Sequence, residues 1–244
     1  MRSLSVKTVF TAVLLGVLVP GLVLLGSLVW ANRQYYLVSI LVIAVSLLPM
    51  LLRFERRAPQ ARELVILSVM TALAVAGRAA FGFAPACKPV AAIVILTGAA
   101  FGAEAGFLVG AATAFVSNFF FGQGPWTPWQ MMGFGLIGLL AGLVFARRFQ
   151  PGRLGLCVFG GLAVFCLYGP LLDVGSVLMV AGDVTKAGIL AALATGVAFN
   201  AVHAAATVAF LALIGQPLLR KLDRVKVKYG LLDEQTENEP LSSA

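Results

Sequence analysis

Charge is scarce in this chain. Only 11% of its 244 residues are charged, with a single His and three Cys. A soluble domain carries about 25% charged residues. Set beside 60% hydrophobic residues and 26 Gly, that deficit excludes a single water-soluble core, because a chain of this length cannot hide so much apolar surface. The lone His and the unpaired spacing of Cys87, Cys157 and Cys166 leave no set for a metal cluster. The three thiols read as small buried apolar residues. No GxxxxGK[ST], HExxH or GxSxG occurs, so a P-loop ATPase, a zinc hydrolase and a serine hydrolase lack their machinery. Strands that alternate apolar and polar residues are missing too, which argues against a membrane β-barrel.

Long unbroken apolar runs are what the chain does have. The expected fold is an all-α integral membrane protein of about eight transmembrane helices, since a span needs about 20 apolar residues. The runs are 8–30, 35–52, 62–84, 88–102, 105–121, 129–146, 154–180 and 187–216. The pair 88–102 and 105–121 is short, and Pro170 is expected to kink or end the seventh run. The first run exceeds the apolar stretch of a signal peptide, so it reads as a span, although Val29-Trp30-Ala31 is a tolerable cleavage site.

The net charge of +8 sits at the ends of these runs, as membrane topology requires, so nucleic acid is not the implied partner. With the N-terminus in the cytoplasm, fourteen of the eighteen Lys and Arg fall inside, and only Arg33, Arg78, Lys88 and Lys186 fall outside. This predicts an inner-membrane protein with both termini cytoplasmic. Residues 1–61 read as an added hairpin with a basic linker, 62–216 as a six-span core, and 217–244 as a basic and then acidic tail.

Small residues recur every four positions at Gly98, Gly102, Gly106 and Gly110, at Gly138 and Gly142, and at Ala72 and Ala76. Such spacing flattens a helix face for close packing in lipid. The contact is either internal to the bundle or with another membrane subunit, and Ala72/Ala76 is the better candidate for the latter.

The segment 117–130 holds Trp126, Trp129, three Phe, two Gly, two Pro, and the amides Asn118, Gln123 and Gln130. It reads as a shaped outer loop suited to a neutral planar ligand. Aromatic residues at the membrane interface account for the Trp residues alone. Intramembrane ionisable residues default to functional candidates. Arg78 and Asp173 lie roughly 24 Å and 28 Å along their spans, near one height, so they either pair or both face a ligand. Lys88 closes the loop 81–88 beside Phe83. Asn200, His203 and Thr207 form one polar stripe, bordered by Tyr168 and Asp173. Glu104 is expected at a solvated inner turn.

These features resemble the substrate-binding S component of energy-coupling factor (ECF) vitamin transporters. The resemblance covers about 62–216. It rests on the six core spans, the Ala72/Ala76 pair, the run GAAFGAEAGFLVGAATA (98–114) and the loop FFFGQGPWTPWQM (119–131). That loop is similar to a subgroup proposed for cobalamin or its dimethylbenzimidazole base. The resemblance implies high-affinity vitamin binding near the outer face, with no covalent chemistry and no cofactor. Ala72 and Ala76 would dock on a transmembrane coupling subunit driven by two cytoplasmic ATPases. Loops 81–88 and 121–129 would close over the ligand. The expected contact residues are Phe83, Lys88, Asn118, Gln123, Trp126, Gln130, Tyr168 and Asp173, then Arg78, Asn200 and His203. Aromatics would stack on the ligand and amides would hold its edge, while Lys88 or Arg78 would meet any acidic group. The two N-terminal spans depart from the six-helix core. The metal-transporter signature is missing at Met1-Arg2-Ser3, so metal ions are not the expected cargo. The alternatives are a stand-alone ion-coupled secondary transporter, which needs repeats and broken helices, and a lipid-acting enzyme using His203 and Asp173.

Overall fold

The computed structural model describes residues 61–145, 151–180 and 185–229. The expected spans 8–30 and 35–52, and the tail beyond Tyr229, lie outside the described residues. Within them the chain is all helix: α1 Ala61–Ala80, α2 Val90–Phe101, α3 Ala103–Phe121, α4 Trp126–Phe145, α5 Arg153–Ala163, a π-helical turn Val164–Tyr168, α6 Gly169–Val180 and α7 Lys186–Tyr229. Because α5, the π turn and α6 run on without a break, these are six rods. Five are long and apolar enough to cross a membrane. The sixth, α2, has 12 residues, about 18 Å by the helical rise, against a hydrocarbon core of about 30 Å.

Helix α2 is short because it is the centre of the bundle. Every residue from Val90 to Ala100 is buried, packed among α1, α3, α4 and α7. One residue, Gly102, joins it to α3 at φ +96°, a conformation open to Gly at little cost. Gly102 is therefore a turn and not part of one flat helix face. The four-residue repeat instead splits between two helices, with Gly98 on α2 and Gly106 and Gly110 on α3. All three press on α4. A Cβ on Gly98 or Gly106 would strike the Gly138 carbonyl, and one on Gly142 would strike the Ala103 backbone. The internal-packing reading holds for both glycine sets, and van der Waals contact between backbones is what associates helices where lipid offers no hydrophobic drive.

Pro170 neither ends nor breaks its rod. Proline lacks the N–H its helix turn would use, and just before it the backbone widens, with the Gly169 N–H donating to the Val164 carbonyl. The rod continues as α6, and the widened turn sets the rotation of Tyr168. Helix α7 passes the expected boundary at 216 without interruption. It has 44 residues and includes Pro217. The Gln216 amide donates to the Pro151 carbonyl at 2.7 Å, and Lys226 lies 5.5 Å from the Phe101 ring, which marks the end of the bundle opposite the 81–89 and 122–125 turns.

The thiols correct an expectation. Cys87 and Cys157 are half-buried and Cys166 is exposed. Helix faces turned outward from a membrane bundle meet lipid, so an apolar residue need not be inside. Glu104 is half-buried in the first turn of α3, where a carboxylate complements the helix dipole. Replacing Gly138 by Ala should drive α3 from α4 and cost about 1–3 kcal/mol, as overpacking does. The check is a lower thermal unfolding midpoint in detergent, and an unchanged midpoint would refute the backbone contact.

Candidate functional site

Helix α1 separates two faces. Leu67, Met70, Ala74 and Arg78 point into the bundle, whereas Val65, Val69, Ala72 and Ala76 are exposed on the opposite face. The buried face carries Arg78 into the end of the bundle formed by the turns 81–89 and 122–125. There the Arg78 Nη1 donates to Ser117 Oγ and, at 2.8 Å, to Asn118 Oδ1. Its guanidinium carbon lies 4.8 Å from the Phe121 ring centroid. The Lys88 ammonium lies 5.7 Å from the same ring. Burial, with the Arg78 charge as the smaller cause, pulls the Lys88 amine below the ordinary lysine value.

Asn118 links this arginine to α4. Its Nδ2 donates to Thr127 Oγ1 at 2.8 Å and to Gln130 Oε1 at 2.9 Å. Thr127 Oγ1 in turn donates to Gln123 Oε1 at 2.9 Å and accepts from the Gly124 N–H. Gln123 Nε2 donates to the Phe115 carbonyl, and the Trp126 indole N–H donates to the Gly122 carbonyl at 3.3 Å. The long shaped loop expected over 117–130 is thus only four residues, 122–125. Ser117 and Asn118 end α3, and Trp126, Thr127 and Gln130 begin α4. The reason is that prolines in a first helical turn give up only an N–H that has no partner there anyway, so Pro128 starts the helix early. Asn118 and Gln123 spend both ends of their amides on the protein. Gln130 Nε2 makes no hydrogen bond among the described residues.

A second cluster lies on the π turn, α6 and α7. Asn200 Nδ2 donates to Asp173 Oδ2 at 2.7 Å. Gly196 and Gly169 leave room for this pair, since a Cβ on either would strike Asp173 or Asn200. His203 meets Tyr168 edge-on, with ring centroids 5.2 Å apart, and Tyr168 leans on Phe134 at 4.4 Å. Thr207 Oγ1 donates to the His203 carbonyl, so the expected Asn200/His203/Thr207 stripe is buried and faces inward. Arg78 and Asp173 do not pair. Helix α1 packs on α2 and α3, whereas α6 packs on α4 and α7, and each charge is met by a neutral partner on its own side. Both clusters nevertheless reach α4: Asn118 donates to Gln130, and one turn on, Tyr168 leans on Phe134 where Gly133 leaves room for its ring.

Phe83 stands apart. It is 84% exposed at the tip of its turn, stacked on Phe81, whose ring meets Phe210 of α7 edge-on at 5.1 Å. Trp129 is buried, and its indole N–H makes no hydrogen bond among the described residues. Ser117, Thr127, Phe81 and Phe121 join the candidate residues without having been singled out. The one signal for Ser117 and Thr127 was the need of a buried arginine for partners. No group of three or more metal-ligating side chains occurs among the described residues.

Residues 59–224 match a family described as "ECF-type riboflavin transporter, S component". The chain belongs to this family. Its S components are substrate-binding subunits of transporters and not enzymes, and they work with an energy-coupling module and ATPases. The S component described here is also similar to a UPF0397 protein of Vibrio atlanticus (strain LGP32), with 33% identity over 124 residues that cover 48% of this chain and 68% of the relative. No solved structure matches.

Asn118 is the hub of the polar chain, so Asn118→Ala would take one partner from each of Arg78, Thr127 and Gln130. Unpaired buried polar groups cost roughly 1–3 kcal/mol each. We expect a clear fall in the thermal midpoint of the purified protein, larger than that of Gln123→Ala on the exposed turn. Equal effects would remove Asn118 from its central place.

Proposed function

We propose that this S component captures a small planar heterocyclic vitamin at the Arg78 end of the bundle, and that this end faces outward from the cytoplasmic membrane with both termini inside, a reading the distribution of Lys and Arg supports. The observation that carries the reading is the meeting of the two clusters. On α4, Gln130 lies one turn before Phe134, whose ring leans on Tyr168, and Tyr168 meets the His203 ring edge-on. Flat apolar walls with a few convergent polar groups are how small organic ligands are held. Phe83, exposed on its turn, and Trp126, exposed at the start of α4, would close over the bound ring. Asn118 and Gln123 would act through the groups they hold, and Lys88, Asp173 and Asn200 would border the ligand.

The family description favours a flavin-type ring as cargo. The loop string at 119–131 favours the second reading, a cobalamin-related compound. Energy would come from an ECF coupling subunit with two ATPases. That subunit would dock on the outward face of α1, where Ala72 and Ala76 lie among Val65 and Val69 and are exposed among the described residues. A stand-alone ion-coupled transporter is the rival, and it differs in needing no partner ATPase for uptake.

Tryptophan fluorescence titrated with riboflavin, cobalamin, dimethylbenzimidazole, thiamine and biotin tests the reading. Saturable quenching by one member at submicromolar concentration is expected, weakened at least tenfold in Trp126→Ala with an unchanged thermal midpoint. No response to any member would remove the vitamin assignment. Replacing Ala72 and Ala76 together by Leu should leave binding intact and abolish co-purification with the coupling subunit. Continued assembly would place the docking face elsewhere.

A further inference from the structure

We infer that Arg78 and Lys88 form an anion subsite, so that the ligand of this S component carries a carboxylate or phosphate seated beside Phe121. The inference rests on the binding role proposed above and adds the charge of the cargo.

Arg78 is nine-tenths buried. One of its nitrogens, Nη1, serves both Ser117 and Asn118, and its Nη2 and Nε groups make no hydrogen bond among the described residues. Lys88 makes neither a hydrogen bond nor an ion pair among them. Two like charges near one ring repel each other, and a buried cation ordinarily has an acid beside it. The acids of the described residues are elsewhere. Asp173 holds Asn200. Glu63 lies fifteen residues back along α1, about 22 Å away by the helical rise. Glu104 begins α3 at the opposite end of the bundle. Asp223 lies twenty residues beyond His203 on α7, about 30 Å along it.

The protein thus spends neutral hydrogen bonds on orienting a guanidinium and leaves its other edge open. That edge presents parallel N–H groups, the geometry that suits carboxylate or phosphate oxygens. Lys88 adds a mobile point charge. Tyr168 and His203 make no side-chain hydrogen bond among the described residues, and would meet the uncharged part of the same ligand.

Phenyl phosphate and benzyl alcohol, matched in ring and differing in charge, test the subsite on the purified full chain in a neutral detergent at fixed ionic strength. Millimolar phenyl phosphate should raise the thermal midpoint by several degrees and benzyl alcohol should not. Lys88→Gln should lose most of the shift and Arg78→Gln all of it. If Arg78→Gln fails to fold, Lys88→Gln still decides, because Lys88 makes no hydrogen bond or ion pair among the described residues. Equal shifts from the two probes, or an undiminished shift in Lys88→Gln, would overturn the inference. Because the probe is no vitamin, such a failure beside a successful vitamin titration means a neutral cargo. A charge-dependent shift beside a silent panel keeps the subsite and discards the panel's vitamins. Repeating the measurement in phosphatidylglycerol and phosphatidylcholine nanodiscs separates the sources. A response to phenyl phosphate retained in both supports a soluble ligand. One abolished by phosphatidylglycerol assigns the subsite to a lipid headgroup and overturns the cargo inference.

Discussion

The contact of α3 on α4 through bare backbone, at Gly106 and Gly138, is the constraint on which the rest depends. No side chain separates the two helices there, so their axial register is set by main-chain shape alone. Twelve residues further along α3, that register brings Asn118 level with Thr127 and Gln130. Asn118 then has both hydrogen bonds to spend on α4 and its carbonyl oxygen left for Arg78 of α1. A chain of causes thus runs from glycine spacing to helix register and then to an amide hub. The hub, in turn, holds the orientation of a buried guanidinium. Lipid gives helices no hydrophobic reason to associate, which is why so much of the organisation falls to close backbone fit and to a few polar groups.

Helix α2 shows the same economy. It does not span, yet its burial on all sides lets the five longer rods surround it. Its brevity leaves the residues 81–89 to dip back toward the bundle end, where Phe81 reaches α7 and Lys88 reaches Phe121. The π turn before Pro170 plays a comparable part on the far side. A proline that would otherwise interrupt the rod is absorbed by a wider turn, and such turns recur at functional sites. Here the turn delivers Tyr168 to His203 and Phe134. The site is therefore assembled from irregularities, a short helix and a widened turn, set within otherwise regular rods.

The two faces of α1 separate two tasks. Its inward stripe ends in Arg78, at the candidate site. Its outward stripe is smooth and apolar, and suits a membrane partner. Because both stripes lie on one rigid rod, a shift of the rod imposed by a partner would move the Arg78 side chain with it.

Much of this was legible in the chain itself. The apolar runs and the bias of Lys and Arg determined a helical membrane protein with a six-rod core, because hydrocarbon demands length and the absence of charge. The strings around 98–114 and 119–131, with the alanine pair, pointed to the S-component family. Arg78 and Asp173 stood out because ionisable groups in lipid are costly, and Asn118 and Gln130 as amides within an aromatic segment framed by Gly and Pro. What only tertiary structure decided was partnership. One-dimensional spacing put Arg78 and Asp173 at one height but could not say that α1 and α6 pack on different neighbours. It read 117–130 as a loop, because Gly and Pro usually break helices, whereas first-turn prolines let α4 start at Trp126. It read one glycine face where Gly102 in fact turns the chain. Height along a helix is a property of sequence, set by a fixed rise per residue. Which side chains meet depends on rotation and register between helices, and these are settled only when backbones touch.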